Sequence, residues 1–523
     1  MNNTESLQKA ICKSIESGYQ LNREAFEFLS KNTLKEDPIT IINKVLEKIS
    51  YLDKKPIFID KNILEQIIDQ SENNCKDKKV IIKSNVDNNK FETLEPEVLE
   101  SINEKFNPPA KNIKSEIRIL ENPSKSLSSN GTIEDYIQYF QDRFRRIEKL
   151  LRQRIDVKSA TTIKEALKRP LKSKIKIIGM INEKREIKQQ IFLTIEDLET
   201  NATVLIPRKA PNRIHRMAKL LLSDQIICIE CKKTRNNLFL AEEIILPEIG
   251  SKPQRVASEP VYAVLTSDIH VGSNKFTEEA FQRFVLWLNG KYGNQKARKI
   301  AGQVKYLLIA GDLIDGVGIY PQQEQELIIK DFKKQYEYAS ELIKKIPEYI
   351  EIIIIPGNHD ATRKALPQPE INLELLKSIQ KSQRIHSLGN PSLVSLHGVE
   401  ILMFHGRSLD DLVATIPGLR HDQPEKMMQL LLQSRHLAPS YGGKTMLSPE
   451  KKDFLVISHP PDIFHAGHTH VMGFCKYKGV LIVNSGGWQE QTEYMEKLGL
   501  VPTPGKVPVI NLQTLEITTL SFI

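Results

Sequence analysis

Uninterrupted apolar runs in the second half of this 523-residue chain constrain its fold more than any other feature. They occupy residues 261–266, 306–310, 352–357 and 401–404, and glycine, proline or charged residues bound them. A strand with one face in water alternates apolar with polar residues, whereas a run without alternation is typical of a strand buried on both faces of its sheet. The runs therefore predict an α/β fold for this half of the chain.

Five short segments, each at the end of a predicted strand, carry side chains that often bind metal ions. In chain order they are Asp268-Ile269-His270, Gly311-Asp312, Gly357-Asn358-His359-Asp360, His405-Gly406 and Gly467-His468-Thr469-His470. Active sites of α/β sheets lie at the carboxyl ends of the strands, so we expect these side chains to meet. Carboxylate, amide and imidazole ligands without a thiolate suit Mn, Fe, Zn and similar divalent ions. One shared carboxylate can hold two such ions roughly 3.5 to 4 Å apart, a spacing that clamps both reacting oxygens of a phosphate ester.

Each segment alone has an ordinary interpretation. An Asp-x-His sequence occurs on many loops, Gly-Asp after a strand is a common turn, and Asn and Asp tolerate the left-handed backbone of tight turns. Coincidence does not account for all five segments following strands in this order over residues 268–470. The combination predicts a two-metal phosphoesterase site.

The segments and their surroundings resemble the calcineurin-like metallophosphoesterase superfamily. Within it, the chain is similar to the small subunits of archaeal family D DNA polymerases. The similarity extends to residues 357–369 (GNHDATRKALPQP), 404–412 (FHGRSLDDL), 434–443 (SRHLAPSYGG) and 484–493 (NSGGWQEQTE). It covers residues 255–520 closely and the rest of the chain more loosely, through domain order. The resemblance implies a four-layer α/β sandwich of the metallophosphoesterase type.

The resemblance also implies a role for each candidate residue. One ion would be held by Asp268, His270, Asp312 and His470, and the other by Asp312, Asn358, His405 and His468. The implied cofactors are two divalent metal ions, with Mn or Mg first and Fe or Zn as alternatives. His359 would lie beside the ions without ligating them and would stabilise the oxyanion or protonate the leaving 3′ oxygen. Asp360 would orient the His359 imidazole, and Arg407 is a further candidate for contact with the substrate or the ligands.

Three positions have competing interpretations. His405 ends a predicted strand, but His436 lies in one of the family-like stretches and competes for the same ligand position. His465 is expected to be a core residue or to lie behind the ligands. Asp315 is expected to cap a helix that follows it.

The activity implied by the resemblance is 3′–5′ exonuclease cleavage of DNA, as the proofreading subunit of a polymerase. The implied partners are a large catalytic polymerase subunit and DNA 3′ ends, with a sliding clamp as a further candidate. Two other functions compete: a stand-alone metallophosphoesterase nuclease, and an accessory subunit with a silent site, as in the eukaryotic relatives. The complete ligand set favours catalysis. No paired-aspartate polymerase motif is recognisable, so polymerisation is expected to reside in another chain.

Composition limits the classes of partner and compartment. The formal net charge of +9 and the pI of about 9.0 suit a phosphate-rich partner, although a lysine-rich proteome would produce the same excess. No apolar run approaches the roughly 20 residues that span a bilayer, and the polar start lacks the apolar region of a signal peptide. We therefore expect a cytoplasmic protein without membrane contact. Five cysteines argue against a disulfide framework.

Four regions are predicted along the chain. Residues 1–70 have the apolar spacing of a small helical module, and residues 71–131, rich in Asn, Lys, Glu and Ser, predict a flexible linker. Residues 132–250 are expected to form a basic helix followed by an OB-like barrel. Residues 255–523 would form the phosphoesterase domain.

The barrel prediction rests on five short strands with a helix-like segment between the third and the fourth. The strands are expected at residues 174–181, 190–196, 202–207, 225–232 and 238–246, and the helix at 213–222. Because Phe192 and Phe239 are the only aromatic residues in this region, binding of another protein is favoured over binding of single-stranded nucleic acid. Cys228 and Cys231 fall in a predicted strand, where their spacing points them to opposite faces and argues against a zinc site.

Overall fold

The computed structural model describes residues 106–235 and 237–523, with short pieces of the preceding chain at 13–14, 20–21, 42–43, 45–46, 58–59 and 93–94. Most of the helical module predicted for residues 1–70 and most of the predicted linker therefore lie outside the described residues. The chain divides into a unit of residues 1–89 and a unit of residues 90–523. In the first unit, Gln20–Leu21 and Phe58–Ile59 pair as short parallel strands.

The first part of the second unit contains a long helix and a small barrel. Its elements are β1 (Thr93–Leu94), β2 (Ile117–Glu121), α1 (Ile133–Arg152), α2 (Ile163–Lys168), β3 (Lys174–Ile187), β4 (Gln190–Glu196), β5 (Asn201–Ile206), α3 (Asn212–Lys219), β6 (Ile226–Arg235) and β7 (Leu238–Ile245). Strands β3 to β7 close into a barrel in the order β3-β4-β5-β7-β6. The apolar side chains of Ile177, Leu193, Val204 and Ile229 pack together in its core. The five predicted strands and the helix between the third and the fourth are confirmed.

Helix α1 begins with a capping box. The Thr132 hydroxyl accepts from the Asp135 backbone N–H, and the Asp135 carboxylate accepts from the Thr132 N–H. Two of its four aromatic residues, Tyr139 and Phe144, are buried. Phe144 packs against the outer wall of the barrel together with Ile178. The apolar face of α1 thus attaches the helix to the barrel.

The two neighbouring cysteines of the barrel point to opposite faces of β6, as predicted. Cys231 belongs to the barrel core, whereas Cys228 packs between the barrel and α1. Both thiols are free, and burial raises the pKa of each to about 12. Neither cysteine is therefore reactive or suited to bind a metal ion.

The remaining chain forms most of two large sheets and the helices that cover them. Its strands are β8 (Tyr262–Thr266), β9 (Val304–Ala310), β10 (Glu351–Ile355), β11 (Ile385–Ser387), β12 (Ser392–Leu396), β13 (Val399–Met403), β14 (Ile463–Ala466), β15 (Met472–Tyr477), β16 (Val480–Ser485), β17 (Lys506–Asn511) and β18 (Ile517–Ser521). Its helices are α4 (Glu278–Leu288), α5 (Gln295–Ala301), α6 (Phe332–Lys344), α7 (Leu409–Thr415), α8 (Pro424–Ser434) and α9 (Glu493–Lys497). Short 3₁₀ helices occupy Pro109–Asn112, Ser124–Ser126, Gln323–Gln325 and Leu373–Leu375. None of the helices in the described part of the chain is long and apolar enough to cross a bilayer.

The two sheets have different strand orders. The seven-stranded sheet runs β11-β10-β9-β8-β17-β18-β1, and its strands β8 to β11 are parallel. The six-stranded sheet runs β15-β16-β14-β13-β12-β2, with β13, β14 and β16 parallel. Every residue of β9 is buried, because both faces of the strand are covered. The apolar runs therefore form the buried strands that the sequence predicts, in a mixed α/β fold.

Alternate residues of the central strands pack into different clusters. In the first sheet, Leu265 and Leu308 pack with Met403 of the second sheet. Their neighbours Val264 and Leu307 pack instead with residues of helices α4 and α6. This alternation is the period of two that a strand imposes on its side chains.

The prediction of a flexible linker over residues 71–131 is wrong for the last part of that range. Residues 117–121 form β2, which pairs antiparallel with β12 at the edge of the six-stranded sheet. Composition misled the prediction, because an edge strand with exposed side chains resembles a polar linker.

A buried charge also joins helix α1 to the chain segment that follows α8. The Arg143 side chain donates to Asp453 Oδ2 at 2.7 Å, to the Pro439 carbonyl at 2.8 Å and to the Tyr139 hydroxyl at 3.0 Å. His436 Nε2 donates to the same Asp453 oxygen at 2.8 Å. Removing any of these partners would leave a buried polar group without its bond.

Candidate metal centre

The carboxyl ends of strands from both sheets meet at one place. Asp268, Asp312 and Asn358 follow the parallel neighbours β8, β9 and β10. His405 and His468 follow β13 and β14, which are parallel neighbours in the other sheet. The His468 N–H donates to Asp268 Oδ2 at 2.9 Å, which ties the loops of the two sheets together. The fold thus brings the five predicted segments into one cluster.

Asp268, His270 and His470 form the first group of ligand atoms. Asp268 Oδ1 lies 3.9 Å from His270 Nε2 and 3.5 Å from His470 Nε2, and the two nitrogens lie 3.2 Å apart. All three side chains are buried, yet Asp268 Oδ1 has no hydrogen-bond donor among the described residues. A buried carboxylate oxygen without a donor, facing two imidazole nitrogens, is what a site for a divalent cation requires.

Asp312, His405 and His468 form the second group, and Asn358 adjoins it. Asp312 Oδ2 and Asn358 Oδ1 lie 3.2 Å and 3.0 Å from His405 Nε2. The same Asp312 oxygen lies 3.8 Å from His270 Nε2 of the first group. Asp312 therefore faces both groups, which is the position that a bridging carboxylate needs.

The electrostatics of the cluster favour positive charge at its centre. Burial raises the pKa of Asp268. Burial opposes the charge of Asp312, but the imidazoles of His405 and His359 outweigh it and hold the Asp312 pKa well below its usual value. Burial also opposes charge on His405, yet the Asp312 carboxylate raises the His405 pKa to about 9. Together with the oxygen and imidazole donors, this field is compatible with a bound divalent cation.

Strained backbone holds the ligands in place. Left-handed φ angles occur at Asp268 (50°), His270 (53°), Asp312 (52°), His468 (70°) and His470 (57°). Non-glycine residues rarely adopt this conformation, which costs on the order of 1 kcal/mol each and is concentrated at functional sites. Beside them Gly357 has no space for a side chain, because a Cβ there would lie 2.1 Å from Asp312 Oδ1. The loops are therefore shaped to aim the ligands inward.

Asp315 supports two histidines of the cluster and does not cap a helix, so that expectation is wrong. Its Oδ1 accepts from His270 Nδ1 at 2.8 Å, which leaves His270 Nε2 free for a cation. Its backbone carbonyl accepts from His359 Nδ1 at 2.7 Å. His359 Nε2 then faces the cluster, 4.0 Å from Asp312 Oδ2. No spacing in the sequence distinguishes this aspartate from one in an ordinary turn.

Asp360 does not orient His359, contrary to the expectation. Its carboxylate accepts from the Gly357 N–H at 2.8 Å and the Tyr336 hydroxyl at 3.0 Å. The side chain is fully buried beneath its own loop. Asp360 therefore holds the loop that carries Asn358. The backbone carbonyl of Asp315, and not Asp360, orients the His359 imidazole.

Asp410 is a contact of the cluster that the sequence interpretation missed. Its Oδ1 lies 3.3 Å from His468 Nε2 and 3.2 Å from His421 Nε2. Arg407 Nη1 lies 3.7 Å from its Oδ2. These charges and the burial of Asp410, which opposes them, leave the Asp410 pKa far below its usual value. Asp410 lies in a family-like stretch, but only the folding of that stretch into the first turn of α7 places it against His468.

The two competing histidines lie outside the ligand groups. His436 is engaged with Asp453 beneath α1, so His405 is the histidine that lies beside Asp312. His465 is buried and its Nε2 lies 3.1 Å from Ser485 Oγ. It is a core residue, as expected.

The cluster opens into a cleft of about 780 Å³. Histidines 270, 359, 468 and 470 lie on its floor, and Lys364, Arg407 and Lys444 contribute positive charge to its lining. Tyr320 and Tyr494 line it as well. The cleft is large enough for a nucleotide-sized group to reach the cluster.

One family model and several curated relatives match the chain. The family of the B subunits of DNA polymerases alpha and epsilon matches residues 263–476, a range that includes every candidate ligand. Among solved structures, an archaeal phosphodiesterase aligns over 50% of this chain and 98% of its own at 14% identity, with a TM-score of 0.26 that is too low to support an inference.

Three curated relatives are DNA polymerase II small subunits of archaea. The Archaeoglobus fulgidus protein is 35% identical over 497 residues, which cover 95% of this chain and 94% of the relative. The Methanothermobacter thermautotrophicus protein is 35% identical over 90% of this chain and 98% of its own length. The Pyrococcus horikoshii protein is 38% identical over 76% of this chain and 65% of its own. At this identity and coverage, the chain belongs to the family of archaeal DNA polymerase II small subunits.

Proposed function

We propose that this polymerase small subunit is a 3′–5′ exonuclease that hydrolyses the terminal phosphodiester of a DNA strand with two divalent cations. The observation that carries the proposal is the position of Asp312 Oδ2, 3.2 Å from His405 Nε2 and 3.8 Å from His270 Nε2. One carboxylate shared by two ligand groups at the floor of an open cleft is the arrangement of a two-metal hydrolase.

Asp268, His270 and His470 would hold one cation, and Asn358, His405 and His468 the other, with Asp312 shared. Mn or Mg suits the oxygen-rich set, and Fe or Zn suits the imidazoles. When bound, a cation pair activates water near neutral pH and neutralises phosphate charge.

His359 has the position of a group that acts on the substrate. Its Nδ1–H is held by the Asp315 carbonyl, so its Nε2 points toward the cleft floor beside Asp312. From there it would stabilise negative charge at phosphorus or protonate the leaving 3′ oxygen. Arg407 lines the same cleft and would contact the phosphate backbone.

We further propose the domain organisation that accompanies this activity. Residues 255–523 would form a metallophosphoesterase sandwich, in which the two sheets face each other and helices cover their outer faces; the alternation of core clusters supports this. Residues 132–250 would form an OB-like domain that binds protein. A large catalytic subunit would be the polymerising partner, and a sliding clamp is a further candidate.

A nuclease assay tests the proposal. The purified chain, incubated with Mn²⁺ and 3′-labelled DNA that is single-stranded or ends in a mismatch, should release the labelled nucleotide and lose the activity after chelation. The Asp268→Ala variant is the control for contaminating nucleases. Absence of release by the chain, alone and with its large subunit, would show that the cluster is silent.

A further inference from the structure

Two chemically different sets of side chains line the cleft above the candidate metal centre. One set is aromatic or apolar and includes Tyr320, Tyr494 and Leu498. The other set is cationic and includes Lys364 and Arg407. A ligand with a flat apolar part and negative charge would match both sets.

Two tyrosine rings of the aromatic set follow His359 in a row. The Tyr320 ring centroid lies 6.3 Å from that of His359, and the Tyr494 ring stacks on Tyr320 at 6.0 Å with planes 25° apart. The Tyr320 hydroxyl donates to Glu326 at 2.5 Å, which fixes its ring. Tyr494 on α9 keeps 49% of its surface exposed.

These two tyrosines are not part of an apolar core. Neither belongs to a core cluster of the described residues, although Met495 and Leu500 beside Tyr494 do. A tyrosine pair that is fixed at one end and open at the other offers a free ring face to a flat ligand.

The cationic residues Lys364 and Arg407 adjoin the second ligand group. Lys364 Nζ donates to the carbonyl oxygens of Asn358 and Asp360, so its charge lies at the loop that carries Asn358. Arg407 contacts Asp410, which faces His468. The positive charges of Lys364 and Arg407 are suited to bind the phosphates of a strand that approaches the cluster.

We infer that Tyr494, stacked on Tyr320, is a specificity-determining residue that binds the base of the 3′-terminal nucleotide, while Lys364 and Arg407 receive the phosphate backbone. The inference rests on the proposed nuclease function and names the residue that would recognise the unpaired terminal base. A base in a duplex already stacks and pairs, so only a frayed or mismatched end presents its base at low cost.

The discrimination between DNA with a normal 3′-terminal base and the same DNA with an abasic 3′ end tests this inference. The ratio of kcat/KM for the two ends, measured with Mn²⁺, should be about 10- to 100-fold for the wild type, the usual worth of one stacked base. In Tyr494→Ala this ratio should fall close to one, because the normal end loses its advantage. Tyr494→Phe keeps the ring and should restore the ratio.

The variant Tyr441→Ala is the matched control, because Tyr441 is also an exposed tyrosine but packs on Phe140 outside the cleft. Its ratio should equal that of the wild type. A Tyr494→Ala protein that keeps the wild-type ratio would overturn the assignment while leaving the nuclease function intact. Failure of the wild type to cleave either end would instead overturn the nuclease function, and this inference with it.

Discussion

At the scale of single residues, Asp312 is the side chain that connects the two ligand groups of the candidate centre. Its Oδ2 faces imidazoles of both ligand groups, and its Oδ1 accepts from the His359 N–H at 2.8 Å. The same side chain thus places the charge between the groups and holds the loop of His359.

Asp312→Asn should weaken both metal sites at once, because the amide removes the charge that the two cations would share. His270→Ala should mainly empty one site. Metal content per chain, measured by mass spectrometry after dialysis against Mn²⁺, distinguishes the two results. Two full equivalents in Asp312→Asn would rule out a bridging role.

His359→Ala should retain bound metal and DNA affinity but lose about 10² to 10⁴ in cleavage rate, the usual contribution of a positioned acid or oxyanion donor. The physical reason is that the Asp315 carbonyl holds His359 Nδ1, so that His359 Nε2 faces the cluster 4.0 Å from Asp312 Oδ2. Single-turnover rates and metal content are measured on the same preparation. Near-normal rates would refute the role, and loss of metal would make His359 a ligand.

At the scale of elements, helix α1 depends on a buried network for its contact with the chain segment that follows α8. Arg143 and His436 both bond to Asp453. His436 Nδ1 accepts from the Ala438 N–H at 3.1 Å, so the neutral imidazole satisfies both of its nitrogens here. Burial, reinforced by the Arg143 charge, lowers the pKa of His436 to about 4.

This pKa predicts a dependence of stability on pH. Between the pKa of an unfolded histidine, about 6.5, and the folded value of about 4, the unfolded chain binds a proton that the folded chain does not. The free energy of unfolding should therefore fall as pH falls through this window, and His436 should contribute about 2 kcal/mol of the loss between pH 7 and pH 5.

Urea denaturation of wild type and His436→Gln at the two pH values measures this contribution. Trp287 and Trp488, the two tryptophans of the chain, report unfolding of the large sheets. The other titrating groups are the same in both proteins. The free energy of unfolding should therefore change less between pH 7 and pH 5 in the variant, and the difference between the two proteins gives the contribution of His436. Equal losses in the two proteins would contradict the assignment.

At the scale of the whole molecule, the proposed proofreading function requires that the candidate metal centre act on a strand that the large subunit extends. The complex with the large subunit should excise a mismatched 3′ nucleotide before extending the strand. Asp268→Ala should still assemble and extend but leave the mismatch, because Asp268 lies at the ligand cluster. Extension products from mismatched primers, separated on sequencing gels, show the difference. Equal excision by both complexes would mean that the nuclease lies elsewhere.

Co-expression provides a second readout of the same partnership. Binding of a large subunit to the folded chain should raise its melting temperature by mass action. Strong nuclease activity from the isolated chain, without binding to any large subunit, would favour a stand-alone nuclease.

The buried strands and the ligand segments could be predicted because their causes are local. A continuous apolar run such as residues 306–310 is recognisable as a strand buried on both faces from its own residues. The carboxyl end of such a strand is the usual location of an active site in an α/β fold. The barrel strands and the capping box at Thr132 follow equally from short-range pattern. Prediction failed where a polar edge strand, Ile117–Glu121, has the composition of a linker.

The sequence by itself determined which chemistry the chain could hold: hard oxygen and imidazole ligands placed after buried strands. Only the tertiary structure decided which polar residues surround them. Asp315 contacts His270, 45 positions away in the chain, and Asp410 contacts His468, 58 positions away. His436 bonds to Asp453 outside the site. Such partners are set by how separate loops pack, and because no short-range spacing encodes that packing, residue types alone could not assign them.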